Sequence, residues 1–482
     1  MEHPGVQSEA LSTAPQRRPV ARWTVYEPLV KAAIVTAAAI LFIYILGSGR
    51  LGSRHGGLPN SLAGRVFWAT MFAYGGVMYA ALFWRIALWR RYRPMPSVAD
   101  HELPPVSVII PAYNEGATVQ AAIRSAAASR YPRNRLEIIV VDDGSEDDTW
   151  RHIQTVAAEL DGRVNLHTIR LPANRGKRHA LAVGFDRAGG EVFVTVDSDS
   201  VLAADALRNA VTPLVLDPAI GGVAGCVEVL NARESVITRF LKCTFSMSFK
   251  FVRAYQNEFR GVFCTPGALS VYRAEAARRL KAEWLSQRFL GRPCLTGEDR
   301  AMTNLLLREG WLTAYQGNAV VYSRMPADYA GLTRMFLRWA RSNIRETVFL
   351  FRFLFKRFRP RHLTAFRANM LLATLAMIVP ALLIFNSTAL LLTNNDFLWR
   401  HLGVVILYAA TTSIIYYRNE RDSDWVWLFV YGFFWVPCVS WIMPYAALTL
   451  RHTGWLTRHL PRLRQSQDRD TATTLNPAGM PA

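Results

Sequence analysis

Leu136-Glu137-Ile138-Ile139-Val140-Val141-Asp142-Asp143-Gly144-Ser145 is the stretch that decides the fold. A β-branched run without polar alternation is what a strand buried on both faces requires. It stops abruptly at two carboxylates and a glycine, the composition of a tight turn. Val106-Ser107-Val108-Ile109-Ile110 and Val192-Phe193-Val194-Thr195-Val196 read the same way. Helical patterns over 118–129, 148–160 and 178–188 separate these runs. The alternation predicts a doubly wound α/β domain whose ligands sit at the carboxyl ends of the strands. Asp142-Asp143-Gly144 and Asp197-Ser198-Asp199 each follow a strand, so both are expected to face one crevice.

Outward from this core the chain turns apolar at both ends. Of 482 residues, 51% are hydrophobic and 12% aromatic, enough for a soluble core and several membrane spans. Residues 1–30 read as a flexible cytosolic tail, too polar for an ordinary signal peptide. Residues 31–92 are expected to hold two transmembrane helices, 100–330 the cytosolic catalytic domain, and 331–365 amphipathic interface helices. Residues 366–451 would add further spans before a tail over 452–482. The stretch 425–450 holds Pro437 and Pro444 and so reads as kinked or re-entrant, and the basic residues after it require one segment to turn back without saying which. The formal charge of +20 sits largely beside the apolar segments, as in Arg85, Arg90, Arg91 and Arg93 and again in Arg352, Lys356 and Arg357. That is the positive-inside pattern, pointing to membrane lipids and away from nucleic acid. The five cysteines are odd in number and lack metal-ligand spacing, which fits a reducing compartment and no disulfide framework.

Each candidate motif has a bland reading beside the chemical one. Asp197-Ser198-Asp199 offers hard oxygens to Mg²⁺ or Mn²⁺, or is an Asx-type turn ending a strand. Asp142 could accept hydrogen bonds from a base or ribose, while Ser145 or Asp147 could merely cap a helix. Asn174-Arg175-Gly176-Lys177-Arg178 presents helix N–H groups and cations to a diphosphate, or is a solvated helix start. Gly297-Glu298-Asp299-Arg300 supplies a general base, or acids favoured by the helix dipole. Arg338-Trp339 is a diphosphate-and-sugar pair, or an interfacial anchor.

Taken together these residues resemble glycosyltransferase family 2, the processive membrane synthases, over roughly residues 105–460. Ser286-Gln287-Arg288-Phe289-Leu290-Gly291, Gly297-Glu298-Asp299-Arg300 and Leu269-Ser270-Val271-Tyr272-Arg273 look most like the hyaluronan synthases. Arg338-Trp339-Ala340-Arg341-Ser342 is similar to those and to the nodulation chitooligosaccharide synthases, with chitin synthases also related. Gly454-Trp455-Leu456-Thr457-Arg458 resembles the family's carboxyl-terminal motif. The resemblance implies a GT-A-type α/β domain with a mixed, mainly parallel sheet between transmembrane helices. It implies UDP-sugar donors, Mg²⁺ or Mn²⁺, a growing polysaccharide acceptor, and a cell membrane location with the catalytic domain cytosolic.

By the same resemblance Asp142 contacts uridine, Asp197 the nucleotide and Asp199 the metal, with Glu298 among the substrate-binding residues. Lys177, Arg338 and Arg458 meet the diphosphate, and Asp299 is the catalytic base. Trp339, Cys264 and Gly267 line the acceptor site, while Trp455 and Thr457 help close over UDP. The expected product is hyaluronan, made from UDP-GlcNAc and UDP-glucuronate. The alternatives are an N-acetylglucosamine polymer and single transfer to a lipid carrier, with a non-enzymatic membrane binding protein the remaining contender. Three departures bear on the product: Met335 replaces a usual Gln, Ala268 a Pro, and Leu456 a Gly.

Overall fold

The β-branched runs form adjacent strands in the computed structural model, which describes residues 26–48, 62–359, 361–393 and 395–452. β1 (Val106–Ala112), β2 (Leu136–Asp142), β3 (Asn165–Arg170) and β4 (Val192–Thr195) pair in parallel in the order β3-β2-β1-β4. Every residue of β1 and β4 is buried, which accounts for their unbroken apolar character. The sheet continues through β5 (Ser200–Leu202), β6 (Ile220–Val229), β7 (Ser270–Arg273) and β10 (Leu312–Ser323), reaching the order β3-β2-β1-β4-β7-β6-β10-β5. β7 runs antiparallel to both β4 and β6, and β5 antiparallel to β10, so the sheet is mixed and mainly parallel. β8 (Arg288–Phe289) and β9 (Arg292–Pro293) form a separate hairpin.

Helices cover both faces of the sheet. Two N-terminal helices, α1 (Glu27–Gly47) and α2 (Leu62–Arg91), precede it. Within the domain lie α3 (Thr118–Ala127), α4 (Thr149–Glu159), α5 (Lys177–Arg187), α6 (Ala206–Leu216) and α7 (Val236–Ser246). A π-helical stretch, Met247–Arg253, carries α7 into the short α8 (Ala254–Asn257). Next come α9 (Ala274–Ser286), α10 (Glu298–Arg308) and α11 (Tyr329–Leu354). One core packs Ile123 and Leu207 of α3 and α6 against Val108 and Val194. The opposite core packs α5, α9 and α10 against the sheet, with Phe185 stacked on Phe193 at 5.1 Å and Trp284 behind them. Burying each such ring contributes about 2–3 kcal/mol, and this core fixes the starts of α5 and α10.

The chain finishes with α12 (Leu363–Thr393), α13 (Asn395–Glu420), α14 (Trp425–Cys438) and α15 (Ile442–Leu448). Glu27–Gly47, Ala69–Arg91 and Leu363–Pro380 are long and apolar enough to cross a membrane. The α14–α15 pair, bent by 42°, adds a fourth if it is one span. α13 spans 26 residues but is not among these segments. The region expected to lie on the bilayer surface is mainly the single helix α11, which buries one face on the catalytic domain. Its Arg345 and Glu346 are 0% and 1% exposed, so part of its basic character serves internal packing and not headgroups.

Charged pairs tie the apolar terminal helices to the domain and to each other. Lys31 of α1 meets Glu27 and Asp424, both at 2.8 Å. Arg239 of α7 reaches Glu27 at 2.7 Å, and Lys242 bridges Asp422 and Asp424, both at 2.6 Å. Each ion is matched, as burial of charge requires.

Candidate active site

The carboxyl ends of β1, β2 and β4 open onto a cleft of about 360 Å³. Asp197, Ser198 and Asp199 line it where β4 ends, and Lys177 enters from the first residue of α5. Arg338 and Met335 of α11 close the opposite wall. The crevice expected from the sequence is therefore present, with one difference at the β2 turn. Asp142 is fully buried and turned inward: its Oδ1 accepts from the Ser145 amide at 3.0 Å, and its Oδ2 lies 3.5 Å from Arg170 Nε. Asp143 is the carboxylate on the cleft. Its two oxygens accept from the amides of Arg175 and Gly176, at 3.0 and 2.8 Å. Burial pushes its pKa up to about 6, against the lowering effect of those two amides. Successive strand residues point to opposite faces, so only one aspartate of the pair can turn to the cleft.

Lys177 organises the floor. Its ammonium contacts Asp197 Oδ1 and sits 2.8 Å from Glu298 Oε1 on the first turn of α10. Burial disfavours that charge, but the two carboxylates outweigh it and raise the lysine pKa. Burial also opposes ionisation of Glu298, yet Lys177 overrides it and holds that carboxyl down to about 2. Asp299, the next residue, has the opposite fate. Burial and then the Glu298 charge raise its pKa, with Lys177 only partly compensating. Adjacent carboxyls thus diverge, the pattern that separates a structural ion from an acid–base group.

Asp299 is held in a tight corner beside the cleft. Its Oδ2 accepts from the Gly267 amide at 3.2 Å and faces Cys264 Sγ at 3.5 Å, while its Oδ1 accepts from the Arg300 amide at 2.7 Å. Burial keeps the Cys264 thiol well above its usual range, so it acts here as a neutral donor. A Cβ on Gly267 would stand 2.6 Å from Lys177 Nζ, so this glycine permits the close approach of the acceptor-side loop to the lysine. Gly297 precedes α10 at φ 80, a left-handed conformation that starts the helix sharply. Trp284 Nε1 donates to the Glu298 carbonyl at 2.8 Å and pins the same turn.

The remaining expected residues divide. Arg338 lines the cleft, but its neighbour Trp339 is directed at Phe245 and Phe336, 5.9 and 5.8 Å away, as the rotation between successive helix residues dictates. Trp455, Thr457 and Arg458 lie outside the described residues. Asn174, from the motif that opens α5, lines the cleft, as do Tyr113, Glu115 and Arg334, which the sequence did not single out. Glu115 accepts from Ser198 Oγ at 2.8 Å. Tyr113 and Glu115 directly follow β1, the same placement that drew attention to Asp142, so the signal was there to be used.

No cluster of three or more His, Cys, Asp or Glu side chains arranged to hold a metal occurs among the described residues. Asp197 and Asp199 nevertheless fit Mg²⁺ or Mn²⁺: both are hard oxygen donors on an open cleft, and such ions commonly take one or two carboxylates plus substrate phosphates and water.

Comparison with known proteins agrees with the fold. Residues 104–342 match the family described as glycosyltransferase like family 2. An N-acetylglucosaminyltransferase of Azorhizobium caulinodans is 31% identical over 356 residues, covering 74% of this chain and 87% of that protein. A hyaluronan synthase of Streptococcus pyogenes is 27% identical over 395 residues, covering 81% and 91%. The fold is shared with a mannosyltransferase of Pyrobaculum calidifontis solved with GDP-Man and Mn²⁺, at TM-score 0.53 and 22% identity, covering 77% of this chain and 98% of that one. The fold is of GT-A type, the family match and the relatives make the molecule a hexosyltransferase, and its apolar helices mark it as a membrane protein. The chain belongs to glycosyltransferase family 2.

Proposed function

We propose that this enzyme is an inverting β-glycosyltransferase that extends an N-acetylglucosamine-containing chain from UDP-sugar donors at the cytosolic face of the membrane. The observation that carries the reading is the seating of Asp299. It is a carboxylate of raised pKa, held by the Gly267 amide beside Lys177 at the edge of the cleft. Asp299 takes the proton of the acceptor hydroxyl as that oxygen attacks the anomeric carbon. The bond from that carbon to the diphosphate oxygen breaks, and UDP leaves with the electron pair. A single displacement inverts the centre. Arg338 and Lys177 stabilise the departing charge, and Asp143 and Glu115 are placed to meet the nucleoside. Asp197 and Asp199 would hold Mg²⁺ or Mn²⁺, which neutralises charge on the diphosphate when bound. The Mn²⁺ of the mannosyltransferase with the same fold supports a divalent requirement in general.

For the product, the identity to N-acetylglucosaminyltransferases favours a chitooligosaccharide-type polymer over the hyaluronan expected from the motifs. Hyaluronan stays as the second reading, on the match to 91% of a hyaluronan synthase. Purified enzyme given UDP-GlcNAc alone, UDP-glucuronate alone, or both decides between them. Chitinase-sensitive product from UDP-GlcNAc alone is the expected result. A hyaluronidase-sensitive polymer formed only with both donors overturns it. The domain order expected above, with the catalytic domain cytosolic, is supported by the basic residues at the ends of the apolar helices.

A further inference from the structure

A second cavity of about 540 Å³ lies away from the donor cleft, where α2 and α13 end against β10. Its walls carry Arg90, Arg93, Lys250, Arg418 and Arg421. The acids nearby are few. Glu228 and Glu420 both engage Lys250 at 2.9 Å, and Glu258 is within electrostatic reach of Arg91 and Arg93. No ion pair to Arg90, Arg93, Arg418 or Arg421 occurs among the described residues, so the cavity keeps an excess of positive charge. Asn419, also on the wall, has an enclosed Nδ2 with no hydrogen-bond partner among the described residues. Arg421 ends α13 in a left-handed conformation at φ 57, an uncommon state for a residue with a side chain. The floor is stiff: Tyr92 OH accepts from the Gly317 amide at 2.7 Å and donates to the Tyr315 carbonyl at 3.2 Å.

We propose that this pocket binds the phosphate of an anionic phospholipid headgroup. Guanidinium groups grip phosphate oxygens through paired, charge-assisted hydrogen bonds, and the Asn419 amide adds a neutral donor. The location chooses between a lipid and a dissolved phosphate. Ala69–Arg91 is a segment apolar enough to cross a bilayer, and the pocket sits at its last turn. That is the level at which hydrocarbon gives way to headgroups, where basic pockets between spans recognise lipid phosphate. The volume falls within the usual range for a ligand site. Nothing in the transfer reaction uses these residues, so the proposal stands apart from the donor cleft.

The test uses the full chain in nanodiscs of phosphatidylcholine mixed with phosphatidylglycerol, with retained lipid quantified by mass spectrometry after extraction. Enrichment of phosphatidylglycerol on the wild-type protein is expected. Arg90→Ala with Arg418→Ala lowers it by roughly thirtyfold, from about one basic contact's worth of headgroup attraction at each position, while UDP binding is unchanged. Lys substitutions at both sites retain most of the enrichment. Equal loss from Lys356→Ala with Arg357→Ala, which stand outside the pocket, overturns the proposal in favour of a diffuse basic surface. Absence of enrichment overturns it as well. Displacement of the lipid by millimolar inorganic phosphate, with no preference for the lipid, overturns the lipid as source.

Discussion

The open cleft and the corner around Asp299 adjoin, yet they are built on opposite principles. In the cleft, Asp197, Asp199 and Arg338 line some 360 Å³ of space that a nucleotide and an ion can fill. In the corner, every oxygen of Asp299 has a donor and almost no free volume is left. Lys177 is shared between the two regions through Asp197 and Glu298. Under the proposed mechanism, the difference separates binding from proton transfer. The first region is completed by its ligand, whereas the second is organised in advance, so damage there falls on turnover and spares affinity.

The comparison breaks most visibly at Asp299→Asn. Loss of the base lowers transfer by at least about a hundredfold, read as donor turnover, while UDP affinity measured by calorimetry stays near the wild-type value. Undiminished polymer synthesis removes Asp299 from the base role. Lys177→Met comes next and strikes both regions. Glu298, 6% exposed, then keeps a buried charge without its cation, at a cost of about 3 kcal/mol in stability. In the wild type the lowered Glu298 pKa contributes stability at and above its ordinary 4.5, which is lost as pH falls toward about 2. In the variant the sign reverses, because burial without a cation raises that pKa. Thermal unfolding at stepped pH should therefore show Lys177→Met regaining stability on acidification.

Cys264→Ala is the finest probe. The raised pKa of Asp299 places the acid limb of turnover above that of an ordinary aspartate, with activity falling as pH drops. The Cys264 thiol hydrogen bond opposes that rise, so its removal moves the limb to still higher pH. The loss at neutral pH is only a few-fold, in keeping with a weak S–H donor, and Cys264→Ser restores the wild-type limb. A pH–rate profile checks both.

The parallel half of the sheet was legible because its strands are buried on both faces and say so in unbroken β-branched runs. β3 was not: Asn165-Leu166-His167-Thr168-Ile169-Arg170 is a half-exposed edge strand with no clear run. β6 begins Ile220-Gly221-Gly222, and β10 is interrupted between Tyr315 and Val320, so neither shows a clean pattern. The antiparallel insertion of β7 depends on pairing across the sheet and has no local signature. In the site, residue types were readable, but orientation was not. Asp142 and Asp143 exchange places because the sequence does not say which side of β2 meets the cleft. Trp339 turns from the cleft for the same kind of reason, as the angle of α11 is set by what its buried face packs on.

The ion pair joining α1 to the start of α14 carries a consequence for how the molecule is made. Lys31 and its partner Asp424 are 393 positions apart, which at ordinary rates of translation separates their emergence by roughly 20–80 s. During that interval the distant partner of Lys31 has not yet been made. The first helix therefore waits, its charge matched locally by Glu27. Completion of this junction is a late event, which follows synthesis of the C-terminal helices.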